Sequence, residues 1–290
     1  MIRFLFALLL LGSLALAGGS HHFIWKVSGK GSDLWLLGSI HMAKSSLYPL
    51  DAAIEKAYDE STSLAVEIDI NQDTTAMQVA KRISQNGIYP KGDSLARHIA
   101  PQLQTRLDSL LEAWDIPLVT MRNMRPWFVT MQIGAMAVER EGMSAADGID
   151  LHFLKRAAAS GKPVYALETV AEQADLFVSL ADSLQEAMLQ LTLDEVGDAG
   201  AAVDSMFLAW NKGDTLGMET LALDGMGDEP RFAEFRKRLY TDRNVHMADH
   251  LEAYLRAKKR VFVIVGSAHL VGPGSVVRIL RERGFLVTQY

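Results

Sequence analysis

One short phrase occurs twice in this chain, and that repeat constrains its fold more than any other feature. Near the start it reads Leu34-Trp35-Leu36-Leu37-Gly38-Ser39-Ile40-His41. Near the end it reads Val261-Phe262-Val263-Ile264-Val265-Gly266-Ser267-Ala268-His269. A continuous apolar run of this length, closed by glycine, is the pattern of a parallel strand buried on both faces. The glycine lets the chain turn out of the sheet. The histidine then falls just beyond the carboxyl end of the strand, where open α/β sheets place their ligands. Two such strands would deliver two imidazoles to one cleft.

Two further apolar runs end in acids. Ser63-Leu64-Ala65-Val66-Glu67-Ile68-Asp69-Ile70 reads as a buried strand carrying Glu67, and Val164-Tyr165-Ala166-Leu167 as a third that stops at Glu168. Phe23 to Val27 reads as a short strand ending in a hairpin turn over 28–33, and Phe285 to Thr288 as a last strand. Helical spacing follows Tyr48-Pro49-Leu50-Asp51, recurs over about 73–145 and 170–257, and starts again at Gly148-Ile149-Asp150 and after Gly272-Pro273-Gly274-Ser275. Gly225 to Pro230 is the most loop-like stretch and is expected to be mobile. The fold class expected is α/β: a mostly parallel central sheet with helical insertions at 73–145 and 170–257, in a single domain over 18–290.

Hydrophobic residues make up 49% of the chain and charged residues 22%, enough for a substantial core. The net charge is -6, and the one tight basic cluster, Lys258-Lys259-Arg260, reads as a solvated helix end, so nucleic acid is not an expected partner. The absence of cysteine excludes disulfides, thiol nucleophiles and Cys-type zinc sites. Arg3, the apolar stretch Phe4 to Leu16 and Ala15-Leu16-Ala17 read as a signal peptide over 1–17. A periplasmic or secreted protein with no stable membrane insertion after cleavage is expected. His21 and His22 would then form a disordered start.

His41, Glu67, Glu168 and His269 should therefore share one sheet edge. Two imidazoles and a carboxylate can hold a divalent ion while the other carboxylate handles a proton. The same set could also work without metal, with histidine as base. Taken singly, Glu67 could pair with Arg122 or Arg125, and Glu168 could serve the next helix N-terminus. Asp150, His152, His246 and His250 lie on expected helices and read as structural. Ser39 and Ser267 are expected to bond turn backbone, and Met121, Met124, Met131 and Met136 to fill core. No phosphate loop or nucleophile elbow is present.

These motifs together resemble the TraB/GumN family, which includes the Tiki proteins. The likeness rests on 36–41, Tyr48-Pro49-Leu50, Val66-Glu67-Ile68-Asp69, Arg125-Pro126-Trp127, Gly148-Ile149-Asp150 and Lys162-Pro163-Val164. It continues through Leu167-Glu168-Thr169, Gln173, Arg243-Asn244, Met247 and 265–270. The resemblance implies an architecture related to erythromycin-esterase (EreA) and ChaN-like proteins. Through the Tiki branch it implies metal-dependent hydrolysis of peptides. Carried onto this chain, it makes His41, His269 and Glu67 metal ligands, Glu67, Glu168 and Arg243 catalytic, and Arg243 and Asn244 substrate-binding. Manganese, cobalt and zinc all suit such mixed nitrogen and oxygen donors. The expected partner is a peptide or small-molecule substrate. Two other readings stay open: a protein that sequesters a peptide, a metal or haem without turnover, and a metal-free esterase with a histidine base.

Overall fold

The computed structural model describes residues 22–70, 73–223 and 229–290. The expected signal peptide and Gly225 to Asp228 of the expected mobile loop lie outside the described residues. Six strands form one sheet in the order β4-β3-β5-β2-β1-β6. They are β1 (Ile24–Gly29), β2 (Ser32–Ser39), β3 (Ser63–Val66), β4 (Val164–Ala166), β5 (Val261–Gly266) and β6 (Leu286–Gln289). β1 runs antiparallel to both β2 and β6, while the β2–β5, β5–β3 and β3–β4 pairs are parallel. The sheet is thus mixed but mostly parallel, and the fold is α/β as the sequence predicts. Likeness to EreA or ChaN architectures rests on the family resemblance alone.

Every residue of β5 and β3 is buried, which explains why neither strand alternates polar with apolar. β3 is shorter than its apolar run suggests: it ends at Val66 and the chain bends at Glu67 and Ile68, although the Glu67 carbonyl still accepts from the N–H of Glu168 at 2.9 Å. β1 and β2 join through Lys30 and Gly31, both with positive φ (56° and 76°), the backbone a tight hairpin turn requires. His22, expected to be disordered, donates its backbone N–H to the carbonyl of Tyr290, and its ring lies 3.2 Å from Asp51.

Helices cover the sheet. α1 (Ala52–Glu60) is capped by Asp51, whose carboxylate accepts from the N–H of Ala53. The first insertion contains α2 (Asp73–Asn86), α3 (Pro101–Ala113) and α4 (Pro126–Arg140). α5 (Ile149–Ser160) follows and stops at Gly161 in the left-handed region. The second insertion runs through α6 (Val170–Val178), α7 (Asp182–Glu195), α8 (Ala199–Asn211), α9 (Thr215–Leu223), α10 (Pro230–Arg236) and α11 (Arg243–Arg256). α12 (Val276–Glu282) precedes β6, its N-terminus capped by Ser275. The main core joins sheet and helices around Phe23, Phe153, Phe262 and Leu251. A smaller core, built on Leu103, Leu107, Ile133 and Leu189, ties the two insertions together through α3, α4 and α7. Among the described residues no helix is long and apolar enough to cross a membrane.

Candidate functional site

The strand order dictates where the site falls. β3 connects onward to β4 on one side, whereas β5 leads to β6 across the sheet. The crevice between β3 and β5 is therefore a topological switch point, the place where open α/β sheets bind ligands. Pairing of Ser39 with Gly266, Val66 with Ile264 and Val66 with Ala166 levels the strand ends. Going across the sheet, the residues just past those ends are Glu168, Glu67, His269 and His41. A cleft of about 310 Å³ opens there, lined by His41, Glu67, Gln173, Arg243, Gly266 and His269 and by an apolar wall.

Gly266 is the hub. Its N–H donates to Glu67 Oε1 at 2.7 Å. A Cβ placed on it would lie 3.2 Å from His41 Nε2, 3.4 Å from Glu67 Oε1 and 3.7 Å from the His269 ring. The glycine of the repeated phrase thus keeps open the space that three functional groups face. Gly38, its counterpart, is packed more tightly: a Cβ there would strike the Phe23 ring and come within 2.8 Å of Ser267 Oγ.

Both imidazoles are fixed from behind. The amide of Asn244 donates through Nδ2 to the carbonyl of Gly274 (2.7 Å), which turns its Oδ1 toward His269 Nδ1 at 2.5 Å. Because that oxygen only accepts, Nδ1 carries the proton and Nε2 keeps its lone pair. His269 Nε2 lies 3.7 Å from Glu67 Oε1. Burial, reinforced by the Arg243 charge, pushes the pKa of His269 down to about 3, so its ring is neutral. Asn244, read from sequence as substrate-binding, lies buried behind His269 and outside the cleft lining.

His41 Nδ1 is 2.8 Å from Asp150 Oδ2, an oxygen that also accepts from the Ser39 hydroxyl. Desolvation of the His41 ring opposes its charged form, but Asp150 and Glu67 outweigh it and raise its pKa to about 9. Its side chain is 46% exposed, against 4% for His269 as a residue, so one imidazole stands at the mouth and the other on the floor. Two expectations are corrected here: Asp150 belongs to the site, and Ser39 bonds a side chain, whereas Ser267 does bond backbone, the carbonyl of Ser39 at 3.0 Å. Asp150 reaches His41 because Gly148 brings the start of α5 against the motif turn, where Ile149 N–H donates to the Ile40 carbonyl at 3.1 Å.

The carboxylates converge on Arg243. Its Nε and Nη2 hold the two oxygens of Glu168, each at 2.7 Å, and Nη2 also reaches Glu67 Oε2 at 2.8 Å. Nη1 donates to the Leu239 carbonyl at 3.1 Å, which leaves one of the five N–H groups uncommitted. Gln173 donates to both glutamates at 3.0 Å. Burial works against ionised Glu67, but Arg243 and the facing histidines overcome it and hold its pKa down at about 2. Glu67 therefore pairs with Arg243 rather than with Arg122 or Arg125; Arg125 instead packs over the Tyr89 ring. Glu168 does not serve the next helix: Thr169 caps α6 in a capping box with Glu172. A π-helical segment, Lys237–Asp242, leads into α11, and such irregularity is common at functional sites. It carries Tyr240, whose ring meets His269 edge-on at 5.7 Å.

The profile of the TraB/PrgY/gumN family matches residues 23–289, which takes in every element described above. The chain belongs to that family. Among relatives within reach is the uncharacterized protein YbaP of Escherichia coli (strain K12), 25% identical over 85% of this chain and 87% of its own length. Metalloprotease TIKI1 of Danio rerio is 20% identical, over 91% of this chain and 62% of its own length. An uncharacterized protein of Treponema pallidum (strain Nichols) is 19% identical over 94% and 84%. No solved structure matches the chain.

Among the described residues no group of three or more His, Asp or Glu side chains is gathered as a metal site would gather it. The chemistry of this TraB-family cleft nonetheless fits a divalent ion. Each Nδ1 is held by a protein group while each Nε2 faces the cleft, the outer-shell arrangement that accompanies metal-ligating histidines, although His41, held protonated without an ion, must give up its Nε2 proton to bind one. Two atoms each about 2.0–2.2 Å from one ion can stand up to about 4 Å apart. The 3.7 Å between His269 Nε2 and Glu67 Oε1 satisfies that limit, and His41 lines the same cleft. His246 and His250, the other pair at metal-ligand spacing, do not line the cleft, and His152 stacks on Tyr48 at 4.5 Å.

Proposed function

We propose that this protein is a hydrolase acting on peptide bonds outside the cytoplasm, with a divalent ion held by His41, His269 and Glu67. The observation that carries the reading is the pair of oriented imidazoles facing one carboxylate around Gly266. The name of TIKI1, a metalloprotease, supports it. In hydrolysis the water oxygen bonds to the carbonyl carbon and the C–N bond breaks. The electron pair of that bond stays on the amine nitrogen, which takes up a proton. Held by His41, His269 and Glu67, such an ion would supply Lewis acidity toward the carbonyl and the attacking water; with that help a carboxylate as weakly basic as Glu67 would take the water's proton and pass it to the amine. Arg243 directs its remaining N–H and its charge at the oxyanion. Glu168 and Gln173 fix Arg243 and Glu67 in place. The serines are poor nucleophiles here, because Ser39 donates to Asp150 and Ser267 to a carbonyl, so neither hands its proton to an imidazole.

One observation favours the sequestering alternative. Glu67, with a pKa near 2, is far from the value that suits a general base at neutral pH. Metal content of the purified protein, measured together with cleavage of a peptide library before and after chelation, decides between the two. Stoichiometric metal and chelator-sensitive cleavage support the hydrolase. Cleavage indifferent to the chelator removes the metal, and tight peptide binding without turnover establishes the binder.

The Asp150 contact behind His41 gives a separate expectation. Asp150→Ala should weaken metal affinity or activity about 10–100-fold, the usual effect of losing an outer-shell partner. Titration with a competing chelator checks it, and unchanged affinity would reduce Asp150 to a helix-start acid.

A further inference from the structure

The polar groups make up only part of the cleft lining. The rest is an apolar wall made by three elements: Met131 and Gly134 from α4, Leu176 and Phe177 from α6, and Leu239 and Tyr240 from the π-helical turn. Two details set this wall apart from an ordinary core surface. Gly134 sits inside α4 without the positive φ that would call for glycine, and an interior helical glycine costs about 0.5–1 kcal/mol relative to alanine. Gly134 is one of the residues that line the cleft. Met131, expected from sequence to be core filler, is instead 41% exposed at the rim, a flexible apolar side chain of the kind that moulds to ligands.

The electrostatics point the same way. Arg243 is the cation of the lining other than histidine, and it is largely spent on Glu67, Glu168 and the Leu239 carbonyl. Away from where the ion would sit, a substrate carboxylate would find little unshared positive charge. At about 310 Å³ the cleft lies at the small end of ligand pockets, enough for one or two residues of a chain.

Resting on the hydrolase reading, we infer that the wall of Met131, Gly134, Leu176, Phe177, Leu239 and Tyr240 is a specificity subsite for one bulky, uncharged apolar side chain of a peptide. Leucine, phenylalanine and methionine fill it; aspartate, glutamate and alanine do not.

The test uses the full protein and a set of internally quenched peptides that differ at one residue in a constant background. Leu, Phe and Met peptides should be cleaved roughly tenfold or more faster in kcat/KM than the Ala peptide, the range expected for a few buried methylenes. Gly134→Leu should bring the Leu-to-Ala ratio toward one. Because Gly134→Leu could fail to fold, Met131→Glu at the exposed rim provides a second variant and should lower the same ratio. Equal cleavage of all peptides by the parent overturns the subsite while leaving hydrolysis standing. So does a ratio untouched in folded variants. If no peptide is cleaved, the hydrolase reading fails, and fluorescence polarisation with labelled Leu and Ala peptides still decides the subsite. Preference for Leu in binding upholds it, and equal or absent binding overturns it.

Discussion

Replacing Arg243 with methionine is expected to destabilise the metal-free protein by about 3–5 kcal/mol at neutral pH, the cost of removing one partner from a buried ion pair. Arg243, Glu67 and Glu168 have side-chain exposures of only 13%, 10% and 7%, and without the guanidinium two carboxylates face one another with Gln173 as their shared donor. Thermal melting should show a shift of roughly 10 °C for a chain of this size. The sign with pH follows from linkage. In the parent, Glu67 is held near 2, so its pairing contributes fully above the unfolded carboxylate value and fades as pH falls toward 2. In the variant the two like charges raise a carboxylate pKa instead, so the deficit is greatest near neutrality and shrinks as pH drops below about 5. Removing both acids as well, in Glu67→Gln/Glu168→Gln/Arg243→Met, should restore much of the loss, because the penalty is uncompensated charge rather than lost packing. A variant as stable as the parent at pH 7 would show that solvent reaches the cluster.

The second large effect is expected at Gly148, which does not itself line the cleft but packs against the backbone of His41, which does. A Cβ there would collide with the backbone carbonyl oxygen of His41 and lie 2.9 Å from its carbonyl carbon. Backbone cannot swing aside as a side chain does, so Gly148→Ala must part the start of α5 from the motif turn. Overpacking of this kind costs about 1–3 kcal/mol. The functional cost should be larger, roughly 100-fold in kcat/KM, because a displacement near 1 Å at a reacting group has that order of effect. Hydrogen exchange at Ile149, whose N–H is held by the Ile40 carbonyl, should speed up even where no substrate is known. Parent-like exchange and melting would mean that the turn yields without strain.

How far the sequence discloses this protein depends on what each residue's neighbours are. The strands are legible because runs such as 261–266 and 63–66 are buried on both faces, which leaves a continuous apolar signature. The four titratable residues past their ends are legible for the same reason, as positions counted from those runs. Asp150 is not, because an acid in the first turn of a helix has an ordinary explanation there, and only the packing of Gly148 on His41 turns it toward the imidazole. The Gly148-Ile149-Asp150 motif was the available signal. Asn244 beside Arg243 suggests a shared role, yet one residue along a helix is about 100° around it, so the two face different partners. Arg243 meets the glutamates, while Asn244 meets His269 and Gly274. Met131 and Met136 are indistinguishable by composition, and only the tertiary placement of α4 sends the first to the cleft rim.

The strand order also has a consequence for how the chain assembles. β2 and β3 emerge early, but they are not neighbours: β5 lies between them. Until residues 261–266 are made, each of those two strands has a vacant edge on the side where β5 will insert, at what becomes the most buried part of the sheet. Filling that slot requires contacts across most of the chain, the kind of closure that is slow. Unpaired strand edges exposed during such a wait invite pairing with other chains. The same insertion that brings His269 beside His41 is thus the expected bottleneck of folding, and a nascent chain halted before β5 should be bound by chaperones or aggregate.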